Sequence, residues 1–325
     1  MFSFKELTQQ FQSEYSNFSF PETPANLYAP IDYIMSMGGK RIRPLLVMAS
    51  YNLFKEDPKF AFQAGLAVEV FHNFSLLHDD IMDDALMRRG QDATHIKYDT
   101  NAAILSGDAM LIYAYKLLEP YQSNFFKITS MFSQTALEVC EGQRMDMDFE
   151  SRDDVSIEEY LEMIKLKTSV LIAAALGLGA TLAETSPENI HHIYSFGLNM
   201  GIAFQIQDDI LDTFGEEALV GKKIGGDILQ KKKTYLYLKS LDLLSASEMQ
   251  ELRSLYADTT QLKEAALIEK VTAYFKTAHV KVHAEELKLV YQQLAFSHLE
   301  AVTLEDSNRK NILRKFAEEL LNRKM

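Results

Sequence analysis

The chain is poor in glycine and proline, with 14 and 7 in 325 residues. Together they make up about 6% of the chain, against roughly 12% in an average protein. So few turn-formers disfavour sandwiches, barrels and most α/β folds, and a mostly helical protein is expected. Cysteine is nearly absent. Cys140 stands alone, which excludes an intrachain disulfide framework and fits a reducing cytoplasm. Basic residues are the minority, 33 against 46 acidic, for a net charge of −13. That balance argues against a nucleic-acid partner, although a local basic cluster in an acidic protein can still take a small anion. The first residues, Met1-Phe2-Ser3-Phe4-Lys5-Glu6, lack a basic segment followed by an apolar core, so no signal peptide is expected. The longest nearly apolar run, Val170 to Ala183, falls short of the ~20 residues of a bilayer span. It reads as a buried helix, and no transmembrane segment is expected.

What is present is ordinary globular material, 47% hydrophobic and 24% charged. No linker, low-complexity tract or short repeat divides it, so one domain over 1–325 is expected. Helical periodicity predicts helices over about 3–17, 30–37, 44–54, 59–84, 100–119, 124–150, 156–184 and 187–213. Pro21, Pro24 and Pro30 mark an irregular entry. A polar, glycine-bearing loop is expected over about 215–230. Shorter amphipathic helices follow, ending in a charged one over 307–324.

Two acidic clusters stand out. One is His78-Asp79-Asp80-Ile81-Met82-Asp83-Asp84, the other Gln207-Asp208-Asp209-Ile210-Leu211-Asp212. On a helix, Asp79 and Asp83 stack, as do Asp208 and Asp212. A solvated acidic face is the ordinary explanation of such runs. Here apolar turns precede both clusters, Phe71, Phe74, Leu76 and Leu77 before the first and Ile202, Ala203, Phe204 and Ile206 before the second. Two like charges ~5 Å apart repel by ~3 kcal/mol at an effective dielectric of ~20, but by under ~1 kcal/mol in water. A partly buried cluster therefore needs cations or raised pKa values. Mg²⁺, which takes one or two carboxylates plus water and phosphate oxygens, suits a diphosphate held between the clusters. No His/Cys pair has the spacing of a zinc site.

Matching cations are present. Gly38-Gly39-Lys40-Arg41-Ile42-Arg43-Pro44 joins glycines that permit close approach to Lys40, Arg41 and Arg43, which can bind phosphate. It is not a P-loop, since the long glycine spacing and the following Ser/Thr are missing. Arg88-Arg89-Gly90 follows the first cluster, and Lys222-Lys223 and Lys231-Lys232-Lys233 follow the second. Singly each is unremarkable surface charge. The order acid, base and glycine, repeated, is not.

With these residues in view, the chain resembles the trans-prenyl diphosphate synthase (polyprenyl synthetase) family from about Leu27 onward. The resemblance also rests on Gly142-Gln143 with Asp146, on Lys167-Thr168, and on Phe204-Gln205 before the second cluster. It implies an all-α fold, a large helical bundle around a central cavity, usually a homodimer. It implies Asp79, Asp80 and Asp83 as ligands of two Mg²⁺ on an allylic diphosphate. Asp208 would hold a third, supported by Asp209 and Asp212. Arg88, Lys167, Lys222 and Lys232 would contact that diphosphate, with Lys223, Lys231 and Lys233 left as alternatives. Gly39, Lys40, Arg43, His72 and Arg89 would form the isopentenyl diphosphate site. Gln143 and Asp146 would support the metals, and Thr168 and Gln205 would face the reacting carbons. A lone histidine on an apolar helix is usually a core residue. His72, seven residues before Asp79 on the same face, is read as functional because the family pattern places it there.

The implied reaction is head-to-tail condensation giving a short product of 15 or 20 carbons. Phe74, five residues before Asp79 and one and a half turns deeper, is the expected floor of the product pocket, with Ser75 beside it. Asp80 and Asp83 are not separated by a two-residue insertion. Asp84 is expected either to back the metal ligands or to be solvated, and Met35, Met37, Met82, Met87 and Met110 to be core. The loop Lys222–Lys233 and, less strongly, Arg323-Lys324 are candidate lids. The competing readings are a longer-chain synthase and a non-catalytic regulatory subunit. The second is disfavoured because both aspartate clusters are intact.

Overall fold

A computed structural model describes residues 1–215, 224–257 and 262–321. Lys222, Lys223 and the Arg323-Lys324 tail lie outside them. The regular elements of the described residues are helices apart from one two-stranded ribbon, matching the all-α expectation. The chain divides into two compact units, each built from separated stretches. Unit 1 comprises Met1–Thr135, Leu171–Tyr194 and Ala301–Leu313; unit 2 comprises Ala136–Val170, Ser195–Glu300 and Arg314–Met325.

Unit 1 begins with α1 (Phe4–Tyr15), started by a Ser3/Glu6 capping box. Then come α2 (Ala25–Ser36), α3 (Ile42–Phe54) and α4 (Phe62–Met82). The ribbon of β1 (Met87–Arg88) and β2 (Gln91–Asp92) leads to α5 (Thr94–Lys97) and α6 (Thr100–Lys116). The helix expected from residue 30 starts at Ala25 and takes Pro30 into its interior. There the ring costs one helical hydrogen bond without breaking the helix. Nearly every residue of α4 from Phe62 to Phe74 is buried, the pattern of a central rather than a surface helix. Glycines let α4 sit close to its neighbours: a Cβ at Gly65 would lie 3.0 Å from the Pro44 carbonyl of α3, and one at Gly107 of α6 would lie 2.3 Å from His78. Met35, Met37 and Met110 are core residues as expected. Met82 and Met87 are not, at 44% and 60% exposed, because they lie where α4 gives way to the ribbon.

Unit 2 takes the body of α7 (Phe125–Ser151), then α8 (Ile157–Ile164) with its Ser156/Glu159 capping box. A π-helical stretch, Lys165–Ser169, interrupts the helix before α9 (Val170–Leu182), which belongs to unit 1 from Leu171 onward. From Ile157 to Leu182 the helix is 26 residues long, enough by length and composition to cross a membrane, but 78% of its most apolar window is buried. Burial in protein marks it as a core helix. Next come α10 (Pro187–Phe214), in unit 2 from Ser195 onward, then α11 (Gly226–Leu229), α12 (Tyr235–Leu243), α13 (Ala246–Ala257) and α14 (Glu264–Thr277). The last elements are α15 (Val280–Ala301) and α16 (Lys310–Leu321). At 22 residues, α15 is longer than the short helices expected there. Tyr160, Ile206, Ile210, Leu252, Val271 and Phe275 centre the core of unit 2.

Candidate active site

In unit 1 the last turn of α4 and its cap carry the first acidic cluster. Asp79 is half-buried, Asp80 is buried and Asp83 is exposed. Asp84 is exposed in left-handed backbone at φ 49°. Arg88 of β1 donates from Nε to both oxygens of Asp80, at 3.0 and 2.9 Å. The expected metal ligand and the expected diphosphate ligand thus hold each other. The ribbon pairs Arg88 with Gln91, leaving Arg89-Gly90 as a two-residue turn with φ of 52° and 76°. Such hairpin turns require positive φ at both positions. The turn brings the Arg89 guanidinium to the Gly38 carbonyl. A Cβ at Gly39 would lie 2.9 Å from Arg89 Nη1, so the missing side chain is what admits the arginine.

Lys40, Arg43, His72 and Arg89 line one pocket, together with Arg41 and Glu69. Arg43 Nη1 lies 3.2 Å from His72 Nε2. Arginine only donates, so Nε2 is the unprotonated nitrogen. Burial, and then Arg43, Arg89 and Arg88, hold His72 well below the usual histidine range. Burial, partly offset by Glu69, brings Arg43 down to about 10, so it remains charged at neutral pH. Its Nε is buried without a hydrogen-bond partner among the described residues. A neutral imidazole beside clustered cations, one with a spare donor, describes an anion pocket. Arg41, grouped by sequence with these phosphate-binding candidates, is instead committed elsewhere. It donates to buried Glu69 at 2.9 Å and to the Met35 carbonyl. Glu69 is a residue that sequence reasoning missed. Its signal was a carboxylate inside the apolar run Ala67-Val68-Glu69-Val70.

Below the first aspartates, Phe74 is buried with its ring 4.8 Å from His78 and 5.5 Å from Phe71. Phe71 in turn meets Phe132 at 5.4 Å. The Ser75 hydroxyl donates to the His72 carbonyl.

In unit 2 a second pocket is lined by Asp146, Lys167, Thr168, Gln205, Asp209 and Lys232, with Asp227 and Lys233 also on its wall. The π-helical stretch explains how Lys167 and Thr168 reach it. A Cβ at Gly142 of α7 would lie 2.2 Å from the Lys167 nitrogen, and one at Gly201 of α10 would lie 2.7 Å from Ser169 Cα. The widened turn is thus flanked by two glycines, and π-bulges of this kind recur at functional sites. Lys167 Nζ meets Asp146 at 2.5 Å. Next to Gly142, Gln143 is buried with both amide atoms unpartnered among the described residues.

On α10, Asp208 and Asp212 are half-buried and Asp209 is 4% exposed. Burial, then Asp227, raises Asp209 well above the carboxylate range. Asp212 accepts from the Asp227 backbone N–H at 3.0 Å. Burial and the neighbouring Asp212 push Asp227 up to about 6. The three lysines separate by role. Lys231, at φ 58°, donates to the Ala257 carbonyl at 3.2 Å. Lys233 is buried over the Tyr237 and Tyr256 rings, at 5.3 and 5.5 Å. Lys232 lies 3.9 Å from Asp227 on the pocket wall. Asp227 and Tyr160 are further residues to which sequence gave no role. A helical tyrosine in an apolar stretch carries no signal of its own.

The sequence profile of the polyprenyl synthetase family matches residues 24–275. A geranylgeranyl diphosphate synthase of Saccharolobus solfataricus is 35% identical over 297 residues, covering 90% of this chain and 89% of that protein. A crystal structure of a geranylgeranyl pyrophosphate synthase superposes with a TM-score of 0.94 at 44% identity, covering all of both chains. Another such synthase, from Corynebacterium glutamicum and complexed with isoprenyl diphosphate and magnesium, has a TM-score of 0.82 at 25% identity, covering 99% of this chain and 97% of that one. On sequence, fold and residue constellation alike, the chain belongs to the polyprenyl synthetase family, the trans-prenyltransferases of isoprenoid biosynthesis.

Proposed function

We propose that this chain joins isopentenyl diphosphate head-to-tail to an allylic diphosphate (dimethylallyl, geranyl or farnesyl), releasing geranylgeranyl diphosphate as its main product. The observation that carries this reading is the cationic pocket of Lys40, Arg43, His72 and Arg89, close in sequence to an acidic helix end. Terpene cyclisation needs no second diphosphate site. The 20-carbon product rests on the names of similar proteins and on the buried Phe74.

Magnesium fits the donor set. Asp79, Asp80 and Asp83, within about one helical turn of one another, and Asp208 offer only oxygen, and the arginines and lysines named above can take the remaining phosphate oxygens. When bound there, it supplies positive charge that draws electrons onto the leaving group. Gln143, Asp146, Asp209 and Asp212 would support that shell. Arg88, Lys167 and Lys232 take up charge as the allylic C–O bond breaks and its electron pair leaves with diphosphate. Arg88 must first exchange Asp80 for the diphosphate. Lys222 shares this role in the reading, although it lies outside the described residues. Lys40, Arg43 and Arg89 hold isopentenyl diphosphate, and Gly39 gives it room. His72 accepts from Arg43 at Nε2 and so keeps Nδ1–H as its donor. Thr168 and Gln205 turn oxygen atoms to the positive carbon. The isopentenyl double bond attacks that carbon, the new C–C bond forms, and the proton is lost to the released diphosphate. Water has to be excluded, since it would capture the cation.

The whole of 1–325 is read as one catalytic domain. We place it in the cytoplasm as a homodimer. Leu105 and Ile112, seven residues apart on one face of α6, are 61% and 63% exposed and suit a second copy.

The test is Mg²⁺-dependent release of diphosphate. Release from farnesyl diphosphate only when isopentenyl diphosphate is added supports condensation. Release without the second substrate points to cyclisation or hydrolysis. Full activity in Asp79→Ala would remove the site assignment.

A further inference from the structure

One chain of hydrogen bonds in the wall of the unit 2 pocket is not used by the roles above. The Tyr160 hydroxyl of α8 donates to Asp209 Oδ2 at 2.6 Å. Gln205 Nε2, one turn before Asp209 on α10, donates to Asp209 Oδ1 at 3.2 Å. The Thr168 hydroxyl of the π-helical stretch donates to Gln205 Oε1 at 3.3 Å. We propose that Tyr160 is a positioning residue for the condensation: acting through Asp209, it sets which end of the Gln205 amide is turned to the reacting carbons.

A glutamine side chain has several rotatable bonds and an amide with opposite ends, an acceptor oxygen and a donor NH₂. Beside a developing carbocation only the oxygen is useful, because the NH₂ would present positive charge. Asp209 selects the orientation. One of its oxygens is occupied by Tyr160, and the other takes the NH₂, which leaves Oε1 for Thr168 and the pocket. Tyr160 is suited to hold this arrangement. Its ring is 1% exposed in the core of unit 2, so the hydroxyl sits on a rigid support with one rotor of its own. Without that hydroxyl, the buried Asp209 side chain can turn, and the amide loses its fixed partner.

The inference rests on the condensation reading, so wild type is assayed first; a wild type that releases diphosphate without isopentenyl diphosphate overturns the reading itself. In a condensing wild type, Tyr160→Phe keeps the ring and removes only the hydroxyl. Its kcat should fall about ten- to a hundredfold, the scale of a misplaced catalytic group. KM for both substrates should change by less than about threefold, because ground-state binding does not use the amide. The same substitution in a Gln205→Ala background should change kcat by less than about twofold, since no amide remains to be aimed. A merely structural tyrosine would cost the same factor in both backgrounds, and that result would overturn the proposal. So would a Tyr160→Phe enzyme with wild-type kcat. Asp209→Leu gives an independent arm if Tyr160→Phe fails to fold: it removes both acceptor oxygens, so the Gln205 amide loses its partner and kcat should again fall. Wild-type kcat in that variant would equally overturn it.

Discussion

Gly142→Ala is the substitution with the largest consequence for its size. The added methyl would sit 2.2 Å from the Lys167 nitrogen and 2.7 Å from Lys167 Cα, both backbone atoms, whereas ordinary contact begins at 3.4 Å. Relief needs a shift of about 1 Å between α7 and the π-helical stretch, and Gly201 closes the opposite side. Overpacking of this kind costs about 1–3 kcal/mol and should lower Tm by about 2–6 °C in a chain of this length. The effect on catalysis should be larger. With Lys167 in its proposed role on the leaving diphosphate, a displacement of about 1 Å costs up to about a hundredfold in rate. The 2.5 Å contact of Lys167 with Asp146 is broken by the same movement. The assay is steady-state condensation with thermal unfolding, run beside Gly177→Ala. At Gly177 the methyl would meet Met131 Sδ at 2.8 Å, the end of a flexible side chain. Gly177→Ala should lose a little stability and no rate. A Gly142→Ala enzyme within twofold of wild-type rate and within 1 °C of its Tm would refute the view that the glycine pair places Lys167.

Phe74→Ala should lengthen the product by about one isoprene unit, with Phe71 as the next obstruction, 5.5 Å away; chromatography of the product alcohols reads it. An unchanged spectrum removes Phe74 as the floor, and the lost ring should also cost about 3–5 kcal/mol of stability. Lys231→Gly should stabilise by about 1 kcal/mol, since a left-handed non-glycine residue costs about 1–2 kcal/mol and only the Ala257 hydrogen bond is given up. A urea titration with an unmoved midpoint would count against it. His72 sets a pH dependence. Its folded pKa is depressed below 6.5, so below that pH the unfolded chain binds a proton that the folded one refuses, and stability falls as the medium turns acid. Melting temperatures of wild type and His72→Gln at pH 5.5 and 7.5 should show a smaller acid loss in the variant; equal losses would contradict it.

The helices and both acidic clusters were legible because periodicity and spacing are properties of the chain itself. The ribbon was less so. Arg88-Arg89-Gly90 advertised a basic group, but the pairing that turns Arg88 back onto Asp80 depends on tertiary position. Arg41 shows the same limit. Its neighbours Lys40 and Arg43 are chemically equivalent in sequence, and only the buried Glu69 on another helix separates it from them. The π-helical stretch had no local signature. Lys165 to Ser169 is ordinary helix material, and the glycines that make room for it, Gly142 and Gly201, lie on other helices. Lys232 is favoured over Lys231 and Lys233 by the family pattern rather than by any local signal, and it is the fold that brings the Ala257 carbonyl and two tyrosine rings to its neighbours.

The interleaving of unit 1 bears on how the protein is made. Its third stretch is fastened to its first: Arg309 reaches the Asn52 and Leu53 carbonyls and the Glu56 carboxylate. It is also fastened to its second, where the Thr303 N–H donates to Asn189 at 2.8 Å. On a ribosome adding about 5–20 residues per second, the first stretch waits on the order of 10 s or more for the third. Unit 1 therefore closes only after Ala301–Leu313 has been made, not as its first helices emerge. Until then its apolar helices must be shielded by other means, so nascent chains of this protein should be chaperone clients.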